Sequence, residues 1–337
     1  MNMTTNGDVT IKVVPVRHVG QWIAAAIAMV FVAMLIHTLF SKLPTGQYAC
    51  HLVGGVRKCH ELSEWRFSWD IVGRYFFTSE ILHGLFLTLE LTVLSMLVGV
   101  ILGVTIAVMR VSTNRLLSAT AWTYTWFFRG TPVLVQLIVW YNIAILYPVI
   151  SIGIPFTNVT FYHFSTVSVF TAFTAALVAL GLNEAAYMSE IARAGLISVD
   201  EGQTEAASSI GMTRRQTLRF VVLPQAMRVI IPPTGNEVIS MLKTTSLASV
   251  IGVVELLGAA TNIYANNYLI MPLLIVASLW YIVVTTVLSI GQYYLERHFA
   301  KGALRTPPLT PIQRLRRDVK GILSKFRTPR GALGAVR

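Results

Sequence analysis

EAASSIGMTRRQTLRFVVLPQA, residues Glu205 to Ala226, is a polar, small-residue-rich stretch inside a chain that is otherwise mostly apolar. Its ends can be read from capping chemistry. Ser198 followed by Glu201 has capping-box spacing, so a helix is expected to begin near Val199. Gly211 is placed to end it, because glycine accepts the left-handed conformation that a helix terminus often needs. Thr213 followed by Gln216 is a second capping box, opening a helix expected to run toward Val222 and halt near Pro224. Segment 198–226 therefore reads as a short helix, a tight turn and another short helix outside the membrane. Ala206, Ala207 and Ile210 offer small, partly apolar surface beside the single charge of Glu205, which suits a short helix that fills a groove on a soluble partner.

The sequence around this segment is built for a bilayer. Of the 337 residues, 54% are hydrophobic and 12% charged. Six runs are candidates for membrane spans: Trp22 to Phe40, Leu82 to Met109, Val133 to Tyr147, Val167 to Leu182, Val229 to Leu257 and Leu269 to Tyr294. The third carries Gln136 and Asn142 and is the weakest of them. The class is an all-α integral membrane protein with about six transmembrane helices. Net charge is +12. With both termini in the cytoplasm, most Lys and Arg fall inside: Lys12 and Arg17, the Arg110–Arg129 cluster, Arg193–Arg228 and the tail from Arg297. Lys42, Arg57, Lys58, Arg66 and Arg74 fall outside. This asymmetry obeys the positive-inside rule, so the basic charge is read as setting orientation and not as binding nucleic acid.

The organisation follows. Residues 1–20 form a polar cytoplasmic lead, 21–40 an N-terminal span, and 41–81 an extracytoplasmic segment with Trp65, Trp69, Tyr75 and Phe76 as interfacial aromatics. Residues 82–297 hold the compact core with the cytoplasmic loop 198–226. The basic tail, 298–337, is rich in Pro and Arg and is read as weakly ordered, either solvated or against anionic lipid. Cys50 and Cys59 lie on the oxidising side and read as a disulfide, ahead of a metal site with His51 and His60. No cofactor is expected in this chain, and no metal.

Glu205-Ala206-Ala207, then Gly211, Val221 and Leu223-Pro224, resembles the EAA loop of ABC importer permeases, with Val221 where that motif has isoleucine. Phe127-Phe128-Arg129-Gly130-Thr131-Pro132 with Leu134-Val135-Gln136-Leu137, Ala185 to Arg193, Leu223 to Arg228 and Leu242 to Leu247 resemble the polar amino-acid uptake branch over roughly residues 80 to 300. The resemblance implies a five-helix type I permease core, with the first span, the cysteine segment and the tail outside it. It implies that Glu205, Ala206, Ala207, Gly211, Val221, Leu223 and Pro224 shape a coupling helix received by an ATP-binding subunit. Further implied partners are a second ATPase copy, a second or related permease and an extracytoplasmic amino-acid-binding protein. The implied location is the bacterial inner membrane. The chain itself has no Gly-x-x-x-x-Gly-Lys-Ser/Thr loop, so the expected activity is transport and not catalysis.

Polar residues within spans are costly and mark function by default. Asn183, Glu184, Asn236, Glu237, Lys243, Thr244 and Ser246 are the pathway candidates. Lys243 either meets a substrate carboxylate or pairs with Glu237. Pro232-Pro233 is expected to kink its helix. Glu190 and Arg193 are expected to pair, and Gly99 and Gly103 to permit a close helix crossing. A secondary, ion-coupled transporter is the alternative, and it requires several buried acids near mid-membrane.

Overall fold

The computed structural model describes residues 19–53, 56–65, 67–153 and 160–299, with 313, 316, 317 and 320. Expectations for the polar lead and for most of the basic tail lie outside these residues.

The chain divides into two units, residues 1–73 and 74–337. In the first, α1 (Val19–Phe40) is 22 residues long, about 33 Å, and Ile23–Phe40 is apolar enough to cross a membrane. An antiparallel hairpin follows, β1 (Lys42–Val53) with β2 (Val56–Trp65), which the hydropathy reading did not anticipate. Its register sets Cys50 directly opposite Cys59 along the backbone. The disulfide expectation concerns side chains outside those described. The indole of Trp69, which begins α2 (Trp69–Phe76), donates to the Leu39 carbonyl at 3.2 Å and stacks on Phe40.

The second unit is helical. Its elements are α3 (Ser79–Arg110), α4 (Arg115–Gly130), α5 (Val133–Tyr141), α6 (Thr166–Val169), α7 (Ala172–Ile197), α8 (Glu201–Ser209), α9 (Arg214–Thr217), α10 (Leu223–Thr244), α11 (Leu256–Asn267) and α12 (Ile270–Phe299). A hairpin of β3 (Val149–Gly153) and β4 (Thr160–Ser165) separates α5 from α6. Among the described residues three helices are long and apolar enough to span: α1, α3 and α12. The pair Arg214–Ile251 and Leu256–Asn267 passes the same test only together and is bent by 43°, the form of a broken span or a re-entrant loop.

Two expected spans differ in form. The third is a nine-residue helix, α5, about 14 Å long and too short to cross alone. It continues α4 across a break at Thr131-Pro132. That break would strand backbone groups in an apolar medium, and side chains answer it. Gln136 Nε2 donates to the Phe128 carbonyl (3.0 Å) and Thr131 Oγ1 (2.7 Å), and Asn183 Nδ2 donates to Phe128 O (3.0 Å) and Gln136 Oε1 (3.2 Å). Gln136, one of the two polar residues that weakened the third span in sequence, is thus the staple of its break, whereas Asn142 Nδ2 donates to the Ile138 carbonyl at 2.8 Å. The fourth runs on to Ile197, so Asn183 and Glu184 sit inside a 26-residue helix and not at its end. Alanine-rich sequence with no breaker before Ser198 explains the extension.

The core lies where α3 and α7 cross. Leu91, Met96, Leu137, Ala175, Ala176, Ala179, Leu180, Met188 and Met241 form one buried cluster. A Cβ on Gly103 would lie 2.6 Å from Met188 Cβ and 3.0 Å from the Ala185 carbonyl, and one on Gly99 would fall on the Glu184 side chain. The expected small-residue crossing is present, and it is what brings α7 against α3.

Candidate functional site

The coupling segment is built almost wholly from local chemistry. Asp200 caps α8, its Oδ1 accepting from Gly202 N at 2.9 Å. The expected cap, Ser198, instead ends α7 and donates to the Gly195 carbonyl at 2.7 Å, so the Ser198–Glu201 box does not form. An aspartate one residue before Glu201 wins because its carboxylate reaches the second helical amide. At the other end Gly211 has φ +80°. Its N–H reaches Ser208 O at 3.0 Å, and Met212 N–H reaches Ala207 O at 3.1 Å. These two bonds complete a Schellman motif. Thr213 and Gln216 then form the expected reciprocal capping box, with Thr213 N to Gln216 Oε1 at 2.8 Å.

The second helix does not halt at Pro224. It passes through a π-turn over Leu218–Val222 into α10, with Pro224 in the first turn of α10. Proline there lacks only an amide hydrogen that a helix start does not use, and the wider turn absorbs the change of register. Gln225 Nε2 binds the Val221 carbonyl (3.1 Å) and Gln203 Oε1 (3.4 Å), tying α8 to α10. Glu205, Ala206, Gly211, Leu223 and Pro224 are exposed, Val221 is half-buried, and Ala207 is buried. Thr213→Ala is expected to cost about 1 kcal/mol of local stability. Amide hydrogen exchange across 213–217 will show it as faster opening, with α3 unaffected.

A second polar locus lies in the helical core. Arg129, Thr131, Asn183, Glu184, Tyr187, Glu237, Ser240 and Thr244 line a cavity of about 560 Å³ between the α4–α5 break, α7 and α10. Glu184 is buried, and its Oε1 has no hydrogen-bond partner among the described residues. The Arg129 guanidinium lies over the Tyr187 ring, 5.2 Å from its centroid. Arg129 lines this cavity from the C-terminal end of α4, and it also shares a neighbouring cavity with Arg110, Trp122, Trp126 and Glu190.

Four pathway candidates meet here: Asn183, Glu184, Glu237 and Thr244. Three do not line the cavity. Asn236 Oδ1 accepts from Gln292 Nε2 of α12 at 3.0 Å, a packing contact. Ser246 Oγ donates to the Lys243 carbonyl. Lys243 is exposed and makes no ion pair with Glu237 within 4 Å. Continuous helix runs through Pro232-Pro233, with Gln292 Nε2 donating to Pro232 O at 3.3 Å. Glu190 pairs with Arg193 (2.7 Å) as expected, and Arg110 joins at 3.4 Å.

Sequence reasoning missed Glu255. It is fully buried and caps α11 by accepting from Leu257 N (3.0 Å) and Gly258 N (2.8 Å). Tyr281 of α12 donates to it at 3.0 Å and Thr88 of α3 at 3.4 Å, so one carboxylate joins three helices. The signal was its place directly before the Leu256-Leu257 run, where an acid caps a helix.

Residues 99–301 match the family of binding-protein-dependent transport system inner membrane components. The arginine transport system permease protein ArgU of Corynebacterium glutamicum is 44% identical over 297 residues, 88% of this chain and 85% of that protein. The L-cystine transport system permease protein TcyB of Bacillus subtilis is 39% identical over 230 residues, 68% of this chain and 90% of that protein. Among solved structures, a crystal structure of an amino acid ABC transporter with histidines aligns with TM-score 0.58 at 36% identity, over 69% of this chain and all of that one.

Proposed function

The chain belongs to the family of binding-protein-dependent transport system inner membrane components, and from that premise we propose that it is the membrane-spanning permease subunit of an ATP-driven importer of cationic amino acids. The observation that supports the importer reading is the α8–Gly211–α9 element, held rigid by its own caps with Ala206 and Glu205 outward. A rigid short helix transmits a partner's motion as rigid-body displacement, because its internal hydrogen bonds leave little to deform. The partners are two ATP-binding subunits, a second or related permease and an extracytoplasmic binding protein, and no cofactor is held by this chain. Both termini are cytoplasmic, as the distribution of Lys and Arg favours.

The cavity supports the substrate class. Arg129, Glu184 and Glu237 bring one guanidinium and two carboxyl groups to it. A cationic amino acid brings one carboxylate, one ammonium and one side-chain cation, so each group finds an opposite partner. Buried charge is tolerated only when so paired. Glu184 lines this cavity and keeps one carboxyl oxygen buried without a hydrogen-bond partner among the described residues.

Ala206→Cys, paired with a cysteine in the receiving groove of the ATP-binding subunit, tests the arrangement in membranes with and without ATP. A specific crosslink whose yield changes with nucleotide is expected. Free labelling of the introduced thiol from the cytoplasm, with no crosslink, would remove the coupling assignment. Ion-coupled transport is the other reading, and uptake that persists without ATP hydrolysis would favour it.

A further inference from the structure

Between α3 and α4 the chain turns through residues 111–114, and the turn has an arginine on each side. Arg110, Ser112, Thr113, Arg115, Ser118 and Trp122 line a cavity of about 410 Å³ there. We propose that this pocket binds the phosphate of an anionic phospholipid headgroup, on the same side of the membrane as the coupling segment.

Charge comes first. Glu190 is the acid that pairs with Arg110, and it is already engaged by Arg193 through Nε at 2.9 Å and Nη2 at 2.7 Å. Arg110 reaches it with one Nη2 at 3.4 Å, and its own Nε is buried without a hydrogen-bond partner among the described residues. Arg115 is exposed and has no ion pair within 4 Å among the described residues. Two guanidinium groups therefore face one pocket with little counter-charge. Planar guanidinium forks match phosphate oxygens better than they match any neutral group. Hydroxyl donors complete the lining. Ser112 Oγ accepts from Asn114 N at 3.2 Å, which leaves its own hydrogen to donate outward.

The walls then decide which phosphate. Trp122 borders the pocket and stacks on Trp126, centroids 6.2 Å apart at 10°. The two rings are 52% and 63% exposed along one face of α4, and they run from Arg110 toward Arg129, with which both line a neighbouring cavity. A free phosphate ion makes no use of that apolar strip, whereas a phospholipid places its head at the arginines and its hydrocarbon along the rings. Tryptophan beside basic residues at a membrane boundary, and basic pockets between spans, are the physical signature of headgroup recognition. A second copy of this chain is a poorer occupant, since it offers only 15 acids against 27 Lys and Arg. The side follows from the Arg110–Glu190 contact, which lies toward the end of α7 that leads into α8.

The test uses the complete transporter, delipidated in detergent and titrated separately with phosphatidylglycerol, phosphatidylcholine and inorganic phosphate. Native mass spectrometry counts the bound molecules. Wild type is expected to retain phosphatidylglycerol in preference to phosphatidylcholine, with inorganic phosphate unable to displace it. Arg115→Gln should weaken retention about tenfold, as expected for one lost charge-assisted bond. Thr113→Glu, which adds a like charge to the ligand, should weaken it further. Arg74→Gln, remote from the pocket, should leave it unchanged. Equal retention by wild type and Arg115→Gln overturns the proposal. So does full displacement by millimolar inorganic phosphate, which would assign the pocket to the free ion. A disulfide between two copies carrying Thr113→Cys would show that protein covers the pocket and would likewise overturn it. These are binding readouts, so they stand or fall independently of transport.

Discussion

Ala206→Arg should abolish ATP-driven uptake while leaving the permease inserted and folded, and the adjacent Ala207→Arg should fail earlier, by unfolding the coupling segment. The two alanines are consecutive, so they point about 100° apart around α8. Ala206 is exposed and Ala207 is only 4% exposed. Arginine at 206 keeps every internal bond of the element: the Asp200 cap, the Schellman pair and the Thr213–Gln216 box involve other side chains. It adds a long charged group where a partner's backbone must come close, and a buried interface residue of that kind costs upward of about 2 kcal/mol when mismatched. Uptake into proteoliposomes should fall at least about thirtyfold, with the transporter's ATPase released from stimulation by the binding protein. At 207 the same side chain has no space. Overpacking costs about 1–3 kcal/mol, and an unpaired buried charge adds to it. Limited proteolysis separates the cases: only the Ala207 variant should be cut within 201–217. If Ala206→Arg transports like wild type, this face is not the docking face.

The coupling element was legible because its determinants are local. A glycine at φ +80° and a Thr-x-x-Gln box need only neighbouring residues to act, so the order of letters specifies the turn. The same logic chose Ser198 over Asp200, because both are good caps and only the geometry of the α7 end decides between them. Hydropathy located the spans but misjudged their ends. It stopped one at Leu182, where polarity begins, although Asn183 and Glu184 are accommodated by groups far away in sequence: Gln136 and Phe128 for the first, and the cavity for the second. It also read Val133–Tyr147 as one span when the chain breaks at Pro132 and mends the break with side chains. Glu255 is the extreme case. Its meaning depends on Thr88 and Tyr281, which no local pattern connects to it. Pro224 carried less information than expected, since it opens a helix instead of ending one.

Glu184→Gln should reduce uptake of a cationic amino acid by at least about tenfold while sparing a neutral one, and Gly99→Val should lose the cationic substrate by one of two routes. Glutamine has the volume of glutamate, so the α3–α7 crossing is preserved and only the charge goes. One charge-assisted hydrogen bond to a buried group is worth about 1.5–3 kcal/mol, or roughly one to two decades in affinity. With Glu184 taking the side-chain cation and Glu237 the α-ammonium, a neutral amino acid does not use the first acceptor, so its uptake, however slow, should not follow. Glu237→Gln should lower uptake of both substrates to a smaller degree, since the α-ammonium is common to both and Glu237 is half-buried, where water already screens it. Gly99 acts through packing. Any side chain there would fall on Glu184 itself, so valine must either push α3 away from α7 or drive the carboxylate out of the cavity. The first route destabilises the core by about 1–3 kcal/mol and lowers the detergent melting temperature. The second leaves the fold intact and reproduces the Glu184→Gln phenotype. Measuring thermal stability beside uptake decides which occurs. Neutral loss in Glu184→Gln equal to the cationic loss would mean that this carboxylate serves the helix crossing alone, and the cavity would then have no claim on the substrate's charge.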